Sequence, residues 1–455
     1  MQRQRVSPRP RWRERVQAQG MVYSTTTLPG GGEAPYWYEE ACYVLSEDEV
    51  DVLESATQRL HEMSVEAAHF LASGAMGDLG LPAGSLPRAA ASLAADPPSL
   101  YGRFDLRFDG SGPPKLLEYN ADTPTGLLES SVVQWYWLED THPDRDQWNS
   151  LHERLVLAWQ RIAPQLGEGP VYFAHHGDER TGEEQMTVTY LRDTADQAGL
   201  STASITVGQI GWDPEGRRFV DLDGAPMGAV FKLYPWELML AEEFGPQVRS
   251  VPQGPGSTVW LEPLWKVLLS NKALLAALWH LYPEHELLLP AYLHEPGPLT
   301  QWVAKPLHGR EGDNIRVHAP GVEVEQPGSY GSEGWCYQQW CPLPEFDGNK
   351  AVMGCWVVDG LPAGLGVRES DGWVTDYQAR FVPHVMTSSR PDAAVQQAWL
   401  ADAGADVQDA VVQDVLPGDG GPGASASHPM LTLGGPSGLP SDVQDDTYRD
   451  RRRAP

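Results

Sequence analysis

The stretch from Tyr101 to Asn120 constrains this chain more tightly than any other. Tyr101-Gly102-Arg103-Phe104-Asp105-Leu106-Arg107-Phe108 alternates in character, Asp109-Gly110-Ser111-Gly112 supplies turn chemistry, and Lys115 to Asn120 runs extended. Period-two alternation on both sides of a glycine-containing turn predicts a β-hairpin. Side chains at i and i+2 of a strand share a face, so Arg103 lies with Asp105 and Glu118 with Asn120. If the arms pair, one face gathers an arginine, two carboxylates and an amide oxygen. Mg²⁺ takes hard oxygen ligands, commonly one or two carboxylates completed by water and phosphate. An arginine beside it suits a phosphoryl or acyl-phosphate oxygen. A solvated face with cross-strand charge pairs has the same spacing, and the hairpin alone leaves both readings open.

The flanking sequence predicts a layered protein. Ser46 and Glu49 form a capping-box pattern. Val50, Leu53, Leu60, Met63, Ala67 and Phe70 then follow at helical spacing, which predicts a helix over 47–72. Helical spacing returns at 146–166 and 183–198, alternating with extended segments at 169–175, 204–207 and 229–237. A leucine-rich helix is expected over 264–281, and strands at 302–306, 335–341, 351–358 and 364–369. The expectation is an α+β fold, with mixed and antiparallel sheets flanked by helices. At 455 residues, with 17 tryptophans, the chain is long enough for two or three lobes. Residues 1–10 read as a disordered basic leader. Residues 387–455, rich in Gly, Pro, Ser, Ala and Asp, read as a disordered acidic tail.

A formal net charge of -29 repels nucleic acid and favours cationic partners such as a polyamine. No apolar run approaches the roughly 20 residues that span a bilayer, and no signal peptide opens the chain, so a cytoplasmic protein without a membrane partner is expected. The four cysteines form no CxxC pair, and His175-His176 and His384 lack a matching ligand set.

Three further motifs each admit two readings. Asp122-Thr123-Pro124-Thr125-Gly126 can hold a carboxylate or phosphate, or simply turn. Lys305-Pro306-Leu307-His308-Gly309-Arg310-Glu311-Gly312 ends a strand in a glycine-flanked loop; it can seat nucleotide phosphates or form a surface hairpin loop, and it is not a P-loop. Lys272, among Leu268, Leu269, Leu275 and Leu278, either snorkels or contributes charge. Gln338 and Gln339, on a strand, can face a base edge or merely build sheet.

Taken in order, these strings resemble the synthetase domain of the glutathionylspermidine synthase family. They include Arg103-Phe104-Asp105, Leu117 to Thr125, Glu262-Pro263-Leu264-Trp265-Lys266, Asn271-Lys272-Ala273, Lys305 to Ile315, Tyr337-Gln338-Gln339, Gly366-Val367-Arg368-Glu369 and Arg380 to His384. The resemblance implies a multi-lobe ATP-grasp fold over residues 11–386 and an ATP- and Mg²⁺-dependent carboxylate–amine ligase working through an acyl phosphate. It implies that Asp105, Glu118 and Asn120 hold Mg²⁺, and that Arg103 and Arg368 stabilise the acyl phosphate and its phosphoryl oxygens. Lys272, Lys305, Gly309, Arg310, Glu311 and Gly312 would serve ATP, with Gln338 and Gln339 near adenine. Thr123 and Thr125 stand where bifunctional members place serines facing a peptide substrate, and Glu237 at an acidic position that meets the amine. Those members also carry an amidase domain for which no room is expected ahead of Arg103. The competing outcomes on the same fold are a phosphotransferase and a non-catalytic nucleotide-binding regulator.

Overall fold

In the computed structural model, Tyr101–Arg107 and Lys115–Asn120 pair antiparallel, with Arg103 opposite Asn120 and Asp105 opposite Glu118. The structure describes residues 1–28, 30–178, 181–250 and 257–388; nearly all of the tail expected over 387–455 lies outside the described residues. The hairpin joins an antiparallel sheet whose strand order is Arg380–Val382, Leu361–Ser370, Asn349–Val358, Tyr101–Arg107 and Lys115–Asn120, with Glu345–Phe346 beside Asn349–Val358. Alternation sorts its two faces. Phe104 and Tyr119 stack at 3.8 Å on the apolar side and join the main core, whereas Arg103, Asp105, Glu118 and Asn120 share the other side.

The helix Glu47–Ala72 forms as its spacing predicts. Ser46 Oγ accepts from the Glu49 N–H, and the Glu49 carboxylate accepts from the Ser46 N–H. Its buried stripe includes Leu53, Leu60, Met63 and Leu71, each stabilising the fold by about 2 kcal/mol through burial of apolar surface.

Two further sheets position the site. An antiparallel sheet carries Trp302–Pro306 between Trp335–Gln339 and Arg316–Ala319, with Ala291–Leu293 and Val322–Glu325 at its edges. A parallel sheet has the order Val259–Leu261, Ala229–Leu233, Val171–His175 and Thr202–Thr206. Helices and several sheets, antiparallel, parallel and mixed, make this an α+β protein. Among the described residues no helix is long and apolar enough to cross a membrane.

Two expectations are corrected. The residues read as a loose leader include the strand Gln2–Arg5, paired with Ala41–Leu45. Two of the arginines among those residues are bound rather than solvated: Arg3 Nε and Nη2 donate to the buried Glu369 carboxylate at 2.8 and 2.9 Å, and Arg9 is paired with Glu39. The helix expected over 264–281 is broken into Leu264–Lys266, Val267–Ser270 and Ala273–Leu281. Asn271 turns extended, accepts from the Ala273 N–H at 2.8 Å and donates to the Leu79 carbonyl at 2.9 Å. Lys272 therefore opens a new helix instead of riding mid-helix.

Candidate active site

Asp105 is the centre of the charged face. It is 3% exposed and accepts from Arg103 Nε at 2.6 Å, Arg103 Nη2 at 3.1 Å and Arg368 Nη2 at 2.7 Å. Arg368 lies two strands from Asp105, and the strand between them places Gly354 opposite both Asp105 and Gly366. A Cβ at Gly354 would stand 3.0 Å from Arg103 Cδ. Glycine there leaves the space in which the two guanidiniums converge on one carboxylate. Arg103 Nη1 also donates to the Thr125 carbonyl, and its guanidinium lies 5.7 Å from the centroid of the Trp356 ring.

Glu118 sits beside this cluster. It accepts from Asn120 Nδ2 at 2.9 Å and pairs with Lys272 Nζ at 3.2 Å. Burial pushes the Glu118 carboxyl up, but Lys272 and Lys305 outweigh that effect and hold it well below the usual carboxylate range. Lys305 donates to the Leu117 carbonyl at 2.7 Å and to Gln338 Oε1 at 2.9 Å, and Gln338 Nε2 donates to the Leu116 carbonyl at 2.9 Å. Burial lowers the Lys305 ammonium to about 8, with Glu118 opposing and Lys272 adding to the fall. The helix break explains the geometry: the Lys272 N–H donates to the Leu307 carbonyl at 2.9 Å, tying the lysine to the end of the Lys305 strand.

Next to these charges a small pocket is lined by Asn120, Thr123, Glu237, Val267, Ser270, Lys272, His308, Gly309 and Arg310. Arg310 spans it, donating to Thr123 Oγ1 at 2.6 Å and to Glu237 Oε1 at 2.7 Å. Gly312, at φ 76°, packs where a Cβ would meet Val374 Cγ1 at 2.9 Å, so the loop after Lys305 is docked on the segment around Val374 and Thr375.

The structure thus gathers Arg103, Asp105, Arg368, Glu118, Asn120, Lys272, Lys305 and Gln338 through hydrogen bonds and ion pairs, and Thr123, Glu237, Gly309 and Arg310 around the pocket. It does not gather Gln339, which is exposed on the opposite face of its strand from Gln338. Glu311 is exposed, and Thr125 contributes its carbonyl. Sequence reasoning missed the buried pair of Lys232 Nζ with Asp122 Oδ1 at 2.6 Å. Asp122 also accepts from the Trp236 N–H at 2.9 Å, which fixes the start of Trp236–Ala241 and hence Glu237. Ser270 Oγ, which accepts from the N–H groups of Ala121 and Asp122 at 3.1 and 2.8 Å, was missed as well.

The ion that the resemblance implies is Mg²⁺. Among the described residues no group of three or more His, Cys, Asp or Glu could hold a metal. Asp105, Glu118 and Asn120 offer two carboxylates and an amide oxygen. That is too few for a closed cage of protein ligands, but it suits Mg²⁺, which keeps water and phosphate in its shell.

Guanidiniums, ammonium groups and carboxylates converge beside a small polar pocket. Residues 3–387 match the model of the glutathionylspermidine synthase preATP-grasp family, and the chain belongs to that family. It is 39% identical over 370 residues to a putative acid–amine ligase of Haemophilus influenzae, an alignment covering 78% of this chain and 92% of that protein. It is 26% identical over 402 residues to the bifunctional glutathionylspermidine synthetase/amidase of Escherichia coli, covering 82% of this chain and 61% of the relative. It is 28% identical over 312 residues to the trypanothione synthetase of Crithidia fasciculata, covering 62% of this chain and 46% of the relative. A solved structure of similar fold is a glutathione synthetase-like effector from Globodera pallida, with TM-score 0.52, 8% identity, and coverage of 84% of this chain and 98% of that one.

Proposed function

We propose that this chain is an ATP- and Mg²⁺-dependent acid–amine ligase, ADP-forming, on an ATP-grasp fold. The observation that carries the proposal is the convergence of Lys272 and Lys305 on a largely buried sheet face that holds Arg103, Arg368, Asp105, Glu118 and Asn120, in a chain of the glutathionylspermidine synthase family.

The substrate carboxylate attacks the γ-phosphorus of ATP, the bond to the β-γ bridging oxygen breaks, and ADP leaves with an acyl phosphate remaining. Arg103 and Arg368 orient that carboxylate and take up phosphoryl charge. Lys305 and Lys272 meet the nucleotide phosphates as point charges. Asp105, Glu118 and Asn120 would hold Mg²⁺, which supplies charge neutralisation to the phosphates when bound. The amine then attacks the acyl carbon and phosphate departs. The loop with Gly309, Arg310 and Gly312 covers the site and excludes water, which would otherwise hydrolyse the acyl phosphate. Thr123 faces the acid, and Glu237 draws the cationic amine.

The names of the relatives point to a glutathione-like peptide as the acid and a polyamine as the amine, and a net charge of -29 suits a cationic substrate. The test is product analysis with paired acids and amines, including glutathione and spermidine. A ligase yields ADP, phosphate and amide in equal amounts. ADP with a phosphorylated product and no amide identifies a phosphotransferase, and nucleotide binding without turnover identifies a regulator; either result overturns the proposal.

A further inference from the structure

His308 has no task in the site as described, yet it lines the pocket with Asn120, Thr123, Glu237, Lys272 and Arg310. It is 9% exposed, and its Nε2 has no hydrogen-bond partner among the described residues. The ring's other nitrogen is bonded to the Gly80 backbone. The Gly80 N–H already donates to Asp78 Oδ1 at 3.0 Å, so the ring donates to the Gly80 carbonyl. That bond puts the proton on Nδ1 and leaves the lone pair on Nε2. The seat is firm: the His308 N–H donates to Glu333 Oε1 at 3.4 Å, and a Cβ on Gly80 would stand 2.7 Å from the Glu333 carbonyl oxygen. A buried acceptor without a donor is costly, and a ligand bearing N–H groups relieves it.

An alkylamine reaches the pocket as an ammonium ion and must shed a proton before its nitrogen can attack. Glu237 is poorly suited to take it. Burial pushes its carboxyl up, but Arg310 at 2.7 Å outweighs that effect and holds it below the usual range. It attracts a cation while remaining a weak base. We propose that His308 Nε2 accepts the proton of the incoming ammonium substrate, with Glu237 stabilising the imidazolium that results.

This assignment rests on the ligase reading. In the step, the N–H bond of the ammonium breaks, its electron pair stays on nitrogen, and the proton binds Nε2. The nitrogen then attacks the acyl carbon, and the carbon–oxygen bond to phosphate breaks with its electrons on the departing phosphate. The second amine proton leaves with phosphate, and imidazolium returns the first to solvent. The charged groups facing the ring are Glu237 on Trp236–Ala241, Glu333 ahead of Trp335–Gln339, and Arg310 on its own loop, with Lys272 on the same pocket. Burial lowers the ring's proton affinity, and the two glutamates oppose the fall. Burial acts on the bound ammonium in the same direction, because both acids are cations.

The test compares wild type with His308→Gln, which keeps an acceptor but cannot carry a proton, using ATP, Mg²⁺ and glutathione with either spermidine or hydroxylamine. Hydroxylamine is largely uncharged at neutral pH. The ratio of the spermidine rate to the hydroxylamine rate should fall about 100-fold in the variant, as loss of a general base predicts. The acidic limb of kcat/KM for spermidine should vanish as well. Equal losses with both nucleophiles overturn the assignment. Absence of amide and hydroxamate with wild type counts against the ligase reading instead. Imidazole NMR of the full chain then tests the histidine without turnover: it should show an Nδ1–H neutral ring at pH 7 whose Nε2 signal shifts with spermidine. An Nε2–H ring, or an imidazolium at pH 7, overturns it.

Discussion

Asp105→Asn is the substitution most directly tied to the geometry of the site. Asp105 is 3% exposed and receives three guanidinium N–H donations at 2.6, 2.7 and 3.1 Å. Asparagine keeps one acceptor oxygen but turns an amide N–H₂ towards the guanidiniums, and it removes the only charge that opposes Arg103 in these pairs. Breaking a buried ion pair by removing one partner costs about 3–5 kcal/mol. At about 2 °C per kcal/mol for a chain of this size, the melting temperature should fall by about 6–10 °C. The loss should be partly relieved by Arg368→Met, because the double variant leaves one unpaired guanidinium rather than two. Arg368→Met alone should cost less than Asp105→Asn, since Asp105 keeps its bidentate bond to Arg103. The assay is thermal unfolding of the four proteins with and without Mg²⁺ and a non-hydrolysable ATP analogue. The wild type should be stabilised by about 2.7 kcal/mol at ligand concentrations 100 times Kd, and Asp105→Asn should lose most of that shift. An Asp105→Asn protein that melts with wild type and keeps the full nucleotide shift would refute both the buried pairing and the metal assignment.

Lys305 sets a pH dependence. Its folded pKa of about 8 lies below the ordinary 10.5, so the unfolded chain binds the extra proton between those values and this group's contribution to stability rises with pH across that window. The charge offered to ATP is lost over the same range, so kcat/KM for ATP should decline above about pH 8. Glu118→Gln should move that decline to lower pH, because Glu118 raises Lys305; an unmoved limb would dissociate the two residues. Gln338→Leu strands the Leu116 carbonyl and one donation from Lys305, and should cost about 1–3 kcal/mol, whereas Gln339→Leu should be near neutral in the same denaturant titration. Gly312→Ala places a Cβ 2.9 Å from Val374 at a positive φ; KM for ATP should rise severalfold with little change in melting temperature, as measured by steady-state kinetics.

Much of the charged face was legible because period two is a rigid rule. Once Tyr101–Arg107 and Lys115–Asn120 are strands, Arg103, Asp105, Glu118 and Asn120 have no choice of side. The same rule separates Gln338 from Gln339, so that correction was present in the sequence and only needed to be applied. What stayed hidden was tertiary. Asn271 interrupts a leucine-rich helical run and accepts locally from the Ala273 N–H, but its other partner, the Leu79 carbonyl, lies far off in the chain, and the helix breaks there. Gln2–Arg5 looked like a solvated leader because its partner, the buried Glu369, lies 366 residues from Arg3 in the chain. Asp122 read as a turn residue because Lys232, which gives it a purpose, lies 110 residues away.

Carboxylates offset most of the site's cationic charge, and that follows from burial. Arg103 and Arg368 share Asp105, Lys272 leans on Glu118, and Arg310 on Glu237. Buried cations without counter-charges cost several kcal/mol each, so a fold that must receive a polyanion needs internal carboxylates to survive without one. Those carboxylates cannot be permanent partners if the cations are to meet phosphate. On the proposed ligase reading, Asp105 and Glu118 would resolve the conflict by also serving a divalent ion: carboxylates engaged by an ion would give up part of their hold on the arginines and lysines, which would then turn to phosphate. On that reading, binding of the ion and of nucleotide would reinforce each other, each raising the affinity for the other by the same factor. On that reading the same residues would serve as ion pairs and as ligands in two arrangements, which is why spacing alone favoured a charged face for the hairpin and left a metal platform open.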